Sequence, residues 1–132
     1  MAVMVIDTSA IAAILFDEPE SARFSAAIEA AAPCIISAVT RVELACVVEG
    51  RIGAAGGKIV EDFLKLAGIE TAHVTPGQAD LAIEGFRRFG RGRHSAALNL
   101  GDCFSYALAK ATGDTLLFKG RDFSETDIIA AI

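Results

Sequence analysis

The sequence predicts an α/β domain, a parallel sheet flanked by helices on both faces, and two observations carry that reading. Short apolar runs suited to strands alternate with longer helical stretches along the whole chain, the spacing that parallel strand–helix units produce. The first run, residues 2–6, is apolar throughout, as a strand buried on both faces is. With 132 residues, the chain fits one compact domain, residues 1–132, that can bury its core without disulfides or a structural metal.

The elements follow in order. After the strand at 2–6, Asp7-Thr8-Ser9 offers three helix N-cap residue types before a helix over 10–16. Pro19 suits the first turn of a second helix that runs to about residue 32, with Arg23, Phe24, Ala27 and Ile28 in helical spacing, and Pro33 ends it. A short strand at 34–37 leads into a helix over 38–52, whose apolar stripe reads Val39, Val42, Cys46 and Val47, with Glu43 on that stripe. Gly53 and Gly56-Gly57 mark a turn before a helix over 58–67, which Gly68 closes. A strand at 69–74 follows, then Thr75-Pro76 opens a helix over 78–89, and residues 90–95 form a glycine- and arginine-rich loop. Asn99 caps a helix over 100–112, a strand spans 115–118, residues 120–122 turn, and 127–132 form a terminal segment of no assigned type.

Composition narrows the function classes. Hydrophobic residues make up 53% of the chain, above the usual share for a soluble domain, which suits a buried sheet together with an oligomer or partner surface. The longest uncharged stretch, residues 30–40, contains Pro33 and Ser37 and falls far short of the roughly 20 residues that span a bilayer. No basic segment followed by an apolar core marks a secretory signal, so the expected location is cytoplasmic, with no membrane partner. Cys34, Cys46 and Cys103 are odd in number and lack C-x-x-C spacing, which suits small buried thiols better than a disulfide or a zinc site.

The net charge of -5 argues against broad, sequence-independent adhesion to nucleic acid. Its distribution qualifies this, because residues 87–132 hold seven of the twelve Lys and Arg but five of the seventeen acids. Arg87, Arg88, Arg91, Arg93 and His94 fall together without an acid among them. They suit either a solvated helix end, where cations are favoured, or a phosphate contact beside an acidic site.

Four carboxylates, Asp7, Glu43, Asp102 and Asp122, stand where strand-like runs stop or helices begin. Ligands of open parallel sheets bind at the carboxyl ends of the strands. Asp7 and Asp122 fall at those ends, and the helices bearing Glu43 and Asp102 start at the same edge. Each acid also has an ordinary structural reading: Asp7 as a helix N-cap, Glu43 closing a capping box with Thr40, Asp102 favoured by a helix dipole, Asp122 in a turn. Capping, however, needs no convergence of four acids at one edge. Such a set needs divalent cations to offset its repulsion, and an all-oxygen donor set suits Mg²⁺ or Mn²⁺. The chemistry this supports is metal-assisted phosphoester hydrolysis, with neither His73 nor His94 required as a base. Thr8 and Ser9 could bond the Asp7 carboxylate or a substrate phosphate. No Gly-x-x-x-x-Gly-Lys-Ser/Thr loop, Gly-x-Gly-x-x-Gly turn or Gly-x-Ser-x-Gly elbow occurs, which disfavours ATP, dinucleotide and acyl-transfer chemistry.

The segments VIDTSA, VELA, LNLGDCFSYALA and FKGRDFSETDI, which begin at residues 5, 42, 98 and 118, resemble in order the signature blocks of PIN-domain ribonucleases, most closely VapC toxins of bacterial toxin-antitoxin pairs. The resemblance implies a parallel five-stranded sheet, a homodimer, RNA as substrate, and a cognate VapB-type antitoxin covering the active site. It implies that Asp7, Glu43, Asp102 and Asp122 hold Mg²⁺ or Mn²⁺, Asp7 and Asp102 most centrally, with one or two ions, and that cleavage leaves a 5′-phosphate and a 3′-hydroxyl. Ser9 and Asp127 match accessory polar positions of variable role. Arg121, immediately before Asp122, departs from the smaller or polar residues that also occur there and could bind phosphate. Phe16, Phe24 and the alanine-rich faces around them would suit a partner helix or ordinary core packing.

Other readings fit less of the chain. A haloacid-dehalogenase-like phosphatase would want a second Asp where Ser9 stands, and a receiver-like domain would want an acidic pair after the first strand and an Asp ending the middle one. A catalytically silent RNA- or partner-binding module would keep the fold and work through Arg87, Arg88, Arg91 and Arg93, leaving the four acids dispensable.

Overall fold

The computed structural model describes residues 3–31 and 33–132. Its elements in chain order are β1 (Met4–Ile6), α1 (Thr8–Leu15), α2 (Ser21–Ala30), β2 (Cys34–Ser37), α3 (Ala38–Ile52), α4 (Gly56–Ala67), β3 (Ile69–Ala72), α5 (Pro76–Phe89), α6 (Leu100–Thr112) and β4 (Thr115–Leu117). A single 3₁₀ turn, Phe123–Glu125, follows β4. Ala2 and Ala32, expected at the start of the first strand and the end of the second helix, lie outside the described residues.

All strands are parallel, in the order β3-β2-β1-β4, and helices cover both faces. The pleat sends alternate residues to opposite cores. Met4, Ile6, Ile36 and Leu117 join a core with α1, α2, α3 and α4, whereas Val5 and Leu116 join one with α5 and α6. This two-sided burial is why the strand runs show no polar alternation.

The sheet has four strands where the resemblance implied five. At the fifth position, beyond β4, a lone parallel bridge joins Leu116 to Ala130. The Leu116 N–H donates to the Ile129 carbonyl at 3.0 Å, and the Ala131 N–H donates to the Leu116 carbonyl at 2.9 Å. Asp127 is held by Lys110 at 2.9 Å and Arg88 at 3.4 Å, which leaves only the residues just after it to reach the strand.

Several local expectations change phase or length. The buried stripe of α3 is Thr40, Leu44 and Val48, not Val39, Val42, Cys46 and Val47, and Val42 is 64% exposed. Valines occupy both sides of this helix, so the apolar pattern alone is ambiguous. Ser37 sets the start, its hydroxyl oxygen capping α3 by accepting from the Val39 N–H at 3.1 Å, and the phase follows from the packing of Leu44 and Val48 into the core. Cys34 and Cys103 are buried free thiols as expected, but Cys46 is exposed. Helix α4 begins at Gly56, two residues before the expected start at Lys58, because the glycine lets it lie against the α3 backbone, where a Cβ would stand 2.9 Å from the Glu49 nitrogen. Helix α5 likewise starts early, at Pro76, with Thr75 as its cap. Strand β3 stops at Ala72, so His73 lies just beyond the strand in which it was expected.

Phe24 and Phe16 take the core-packing alternative rather than forming a free partner surface. Phe24 is fully buried, and the half-buried Phe16 ring lies under the Arg51 guanidinium at 3.9 Å. An open groove on this side is lined instead by Ile14, Ile28, Phe63 and Leu66.

Helices α5 and α6 meet at Gly85, where an added Cβ would stand 2.7 Å from the Tyr106 ring. Tyr106 is itself fully buried and cannot swing away. Gly85→Ala should therefore destabilise the fold by about 1–3 kcal/mol despite alanine's better helix propensity, read as a lower urea midpoint.

Candidate active site

Asp7 ends β1 and caps α1. Its backbone is extended, its N–H donates to the Leu117 carbonyl at 2.9 Å, and its side chain is almost fully buried. A buried carboxylate needs donors, and three are supplied. Oδ2 accepts from the Ser9 N–H at 3.1 Å and the Ser9 hydroxyl at 2.7 Å, while Oδ1 accepts from the Ser105 hydroxyl at 2.6 Å. The Ser9 oxygen also accepts the Lys119 N–H at 3.0 Å, tying the loop after β4 to the start of α1.

Glu43 lies a turn and a half inside α3 and closes no capping box with Thr40, since Ser37 is the cap. Its Oε1 accepts from the Thr8 hydroxyl at 2.5 Å. The carboxylate rests against Gly101 in the first turn of α6, in the space that a Cβ there would fill. Asp102 combines its capping role with a place at the site. Its Oδ2 accepts from the Asn99 N–H at 3.0 Å, and its own N–H donates to the Asn99 side-chain oxygen at 2.9 Å, a reciprocal capping box. Asp122 stands exposed before the 3₁₀ turn, where its side chain makes no capping bond.

Asp102 registers the other three acids. Burial pushes its carboxyl up to about 7; the Asn99 N–H opposes the rise, and the negative charges of Asp7, Asp122 and Glu43 add to it. The four acids thus share one electrostatic neighbourhood. Among the described residues, no three His, Cys, Asp or Glu side chains are grouped closely enough to form a ready metal cage. The acids form an open, dispersed set of oxygen donors rather than a closed cage, and such a set suits a hard divalent cation that retains part of its water shell.

The remaining candidates divide. The hydroxyls of Thr8 and Ser9 are engaged with Glu43 and Asp7. Arg88 stacks on Phe89 at 4.7 Å and pairs with Asp127, while Arg93 lies over Phe86 at 5.3 Å. Arg87 and Arg91 are exposed. Asp127 lies with Lys110 in the last turn of α6, eight residues along the helix from Asp102 and so about 12 Å away along its axis. Its carboxyl is lowered: burial opposes this, and the hydrogen bonds from Lys110 and Tyr106 and the nearby cations outweigh it. Asp127 therefore acts as a clamp for the terminal segment.

Sequence reasoning missed Ser105 as part of the site, cast Thr40 only as a cap, and weighed Lys119 only for a receiver-like domain. Ser105 and Thr40 are both fully buried, and their hydroxyl oxygens are 3.3 Å apart. The Lys119 ammonium pairs with Glu18 at 2.9 Å and Glu20 at 3.5 Å. A usable signal existed for the first two: Thr40 precedes Glu43 by three positions and Ser105 follows Asp102 by three, which puts each hydroxyl on the same helix face as its acid.

The raised Asp102 carboxyl has a stability consequence with a definite sign. The folded, metal-free chain holds a proton on Asp102 up to about 7, whereas the unfolded chain loses it near the ordinary value of 3.8. Stability is then lost as pH rises through that window. In EDTA the urea midpoint should fall from about pH 4 to about pH 7, and Asp102→Asn should make the fall shallower.

Comparison with known proteins bears on the family and the fold. The PIN domain family matches residues 4–129. Ribonuclease VapC30 of Mycobacterium tuberculosis (strain ATCC 25618 / H37Rv) is 50% identical over 125 residues, 95% of each chain. Ribonuclease VapC of Mycolicibacterium smegmatis is 46% identical over 127 residues, covering 96% of this chain and 98% of that one. Among solved structures, VapC20 of Mycobacterium tuberculosis, a Sarcin-Ricin loop cleaving toxin, superposes with a TM-score of 0.77 at 17% identity over 96% of both chains. A toxin-antitoxin complex from Klebsiella pneumoniae gives 0.70 at 17% identity over 98% of both. At that identity these two likenesses bear on the fold, while the close sequence relatives decide the family: the chain belongs to the PIN-domain VapC ribonucleases.

Proposed function

We propose that this protein is a metal-dependent endoribonuclease and the toxin of a type II toxin-antitoxin pair, with Asp7, Glu43, Asp102 and Asp122 as its catalytic and metal-holding residues. The observation that carries the reading is that Asp102, whose carboxyl is raised chiefly by burial, also feels the charges of Asp7, Asp122 and Glu43, three acids from distant parts of the sequence. Such an acidic cluster repels a phosphodiester unless a cation intervenes. When bound, Mg²⁺ or Mn²⁺ supplies that cation and lowers the pKa of a coordinated water.

The chain's own residues do the rest. Ser9 and Ser105 orient Asp7, Thr8 orients Glu43, and the Asn99 N–H holds one oxygen of Asp102. Asp122 is exposed at the mouth of the cleft and can complete the donor set. Arg87 and Arg91, exposed and with neither an ion pair nor an aromatic stack among the described residues, are the best placed of the basic set to meet RNA phosphates. Arg93 can do so without giving up its aromatic contact, because a guanidinium stacked on a ring still presents its edge, whereas Arg88 is held by Asp127.

Two apolar surfaces suit the partners this reading requires. Exposed Val42, Ile83, Phe86 and Leu100 border two adjoining grooves that share Leu100, one beside Glu43 between α3 and α6 and one between α5 and α6, and together they suit a second copy of the chain. The groove of Ile14, Ile28, Phe63 and Leu66 suits a VapB-type antitoxin helix. Among the described residues no helix is long and apolar enough to cross a membrane, and we infer action on cytoplasmic RNA.

Purified protein incubated with a cellular RNA pool and Mg²⁺ or Mn²⁺ should cut it, and EDTA should stop the reaction. Asp7→Asn and Asp102→Asn should each lower the cleavage rate by more than about 100-fold, beyond the range for residues one step removed from a metal, with unchanged far-UV circular dichroism. Retained cleavage by either variant would refute the assignment. Arg87→Ala with Arg91→Ala should instead raise the KM for RNA and flatten its salt dependence by about one to two charges' worth of slope, read from rates between low and moderate salt.

A further inference from the structure

We propose that Ser105, backed by Thr40, is a positioning residue that sets the Asp7 carboxylate for the metal, an inference that rests on the nuclease reading above. The geometry is a two-step hydroxyl relay behind the acids. Ser105 on α6 donates to Asp7 Oδ1 at 2.6 Å, within the short range of a charge-assisted bond. Thr40 on α3 lies 3.3 Å from the same Ser105 oxygen. Proton counting resolves the direction of the second bond. A serine hydroxyl has one proton, and Ser105 gives it to Asp7, so Thr40 must be the donor to Ser105. The chain therefore runs one way, from Thr40 through Ser105 to Asp7, and ends on an oxygen that only accepts.

Each participant is almost or entirely sealed from solvent, so water cannot substitute for a lost hydroxyl without opening the core. The relay also couples the acids to one another. Ser105 shares a helix face with Asp102, and Thr40 shares one with Glu43. The bonds between them consequently fix where α3 and α6 sit relative to Asp7, and so how the three carboxylates of these elements are spaced. Partners behind metal ligands typically contribute about 10- to 100-fold in metal affinity.

The test is Mn²⁺ binding by RNA-free protein, with free Mn²⁺ measured by electron paramagnetic resonance. Ser105→Ala should raise the Mn²⁺ dissociation constant by about 10- to 100-fold. Thr40→Val, which keeps the shape of the side chain and leaves the Ser105–Asp7 bond in place, should raise it less, and Thr40→Ser should restore it. That restoration separates positioning from packing, because serine returns the hydroxyl but not the methyl. Thermal unfolding in EDTA identifies any variant that has simply lost its fold. Wild-type Mn²⁺ affinity in folded Ser105→Ala, with binding lost in Asp102→Asn, would overturn the relay and leave the nuclease reading standing. Failure of the wild-type protein itself to bind Mn²⁺ would overturn both.

Discussion

Mutual repulsion among Asp7, Glu43, Asp102 and Asp122 is the constraint around which the candidate site is arranged, and the chain relieves it only in part, through the raised carboxyl of Asp102. The acids are restrained by uncharged donors: the Thr8 hydroxyl on Glu43, the Ser9 and Ser105 hydroxyls on Asp7, the Asn99 N–H on Asp102. Such bonds fix the position of a carboxylate while leaving its formal charge in place. Lys119 is committed to Glu18 and Glu20, and Lys110 and Arg88 to Asp127. None of these three cations forms an ion pair with the four acids, which leaves the proposed cleft acidic.

Helix α6 carries both halves of this division. Its first turn bears Asp102 within a capping box, its middle is buried from Tyr106 to Ala109, and its last turn bears Lys110. An acid at the amino end and a cation at the carboxyl end both suit the helix dipole. The site end is rich in negative charge, and the far end anchors the segment after the 3₁₀ turn through Asp127. The helix serves as a rigid spacer between a functional and a structural cluster, with Gly85 of α5 giving its Tyr106 ring the room to pack.

Much of this was legible in the residues. Strand–helix alternation identified the parallel sheet, Ser37 and Asn99 behaved as helix caps, and the positions of Asp7, Asp102 and Asp122 relative to strand and helix ends placed them at one edge. What the residues concealed has specific physical causes. The phase of α3 was ambiguous because its valines populate two faces and the inward residue, Thr40, is polar. Ser105 was overlooked because a serine in an alanine-rich helix reads as filler, and only the tertiary approach of α6 to β1 turns it into a donor. Asp127 could not be assigned because its partners, Arg88 and Lys110, are distant in sequence. The terminal segment gave no strand signal because it forms a single bridge rather than a ladder.

The register of β1 carries a consequence for the order of events during synthesis. This strand is central: Met4 pairs with Cys34 on one side and with Thr115 on the other, and Asp7 donates its backbone N–H to Leu117. A chain growing from its amino end can pair β1 with β2 early, but the other flank stays open until β4 has been made. Asp7, the first of the four acids to be translated, is therefore framed by a segment that emerges after the other helices and strands of the sheet, and Ser9 meets Lys119 only then. A nascent chain holding three of the acids still lacks the strand that closes the edge around them. The topology withholds an assembled edge from the growing chain and delivers it only once β4 has emerged.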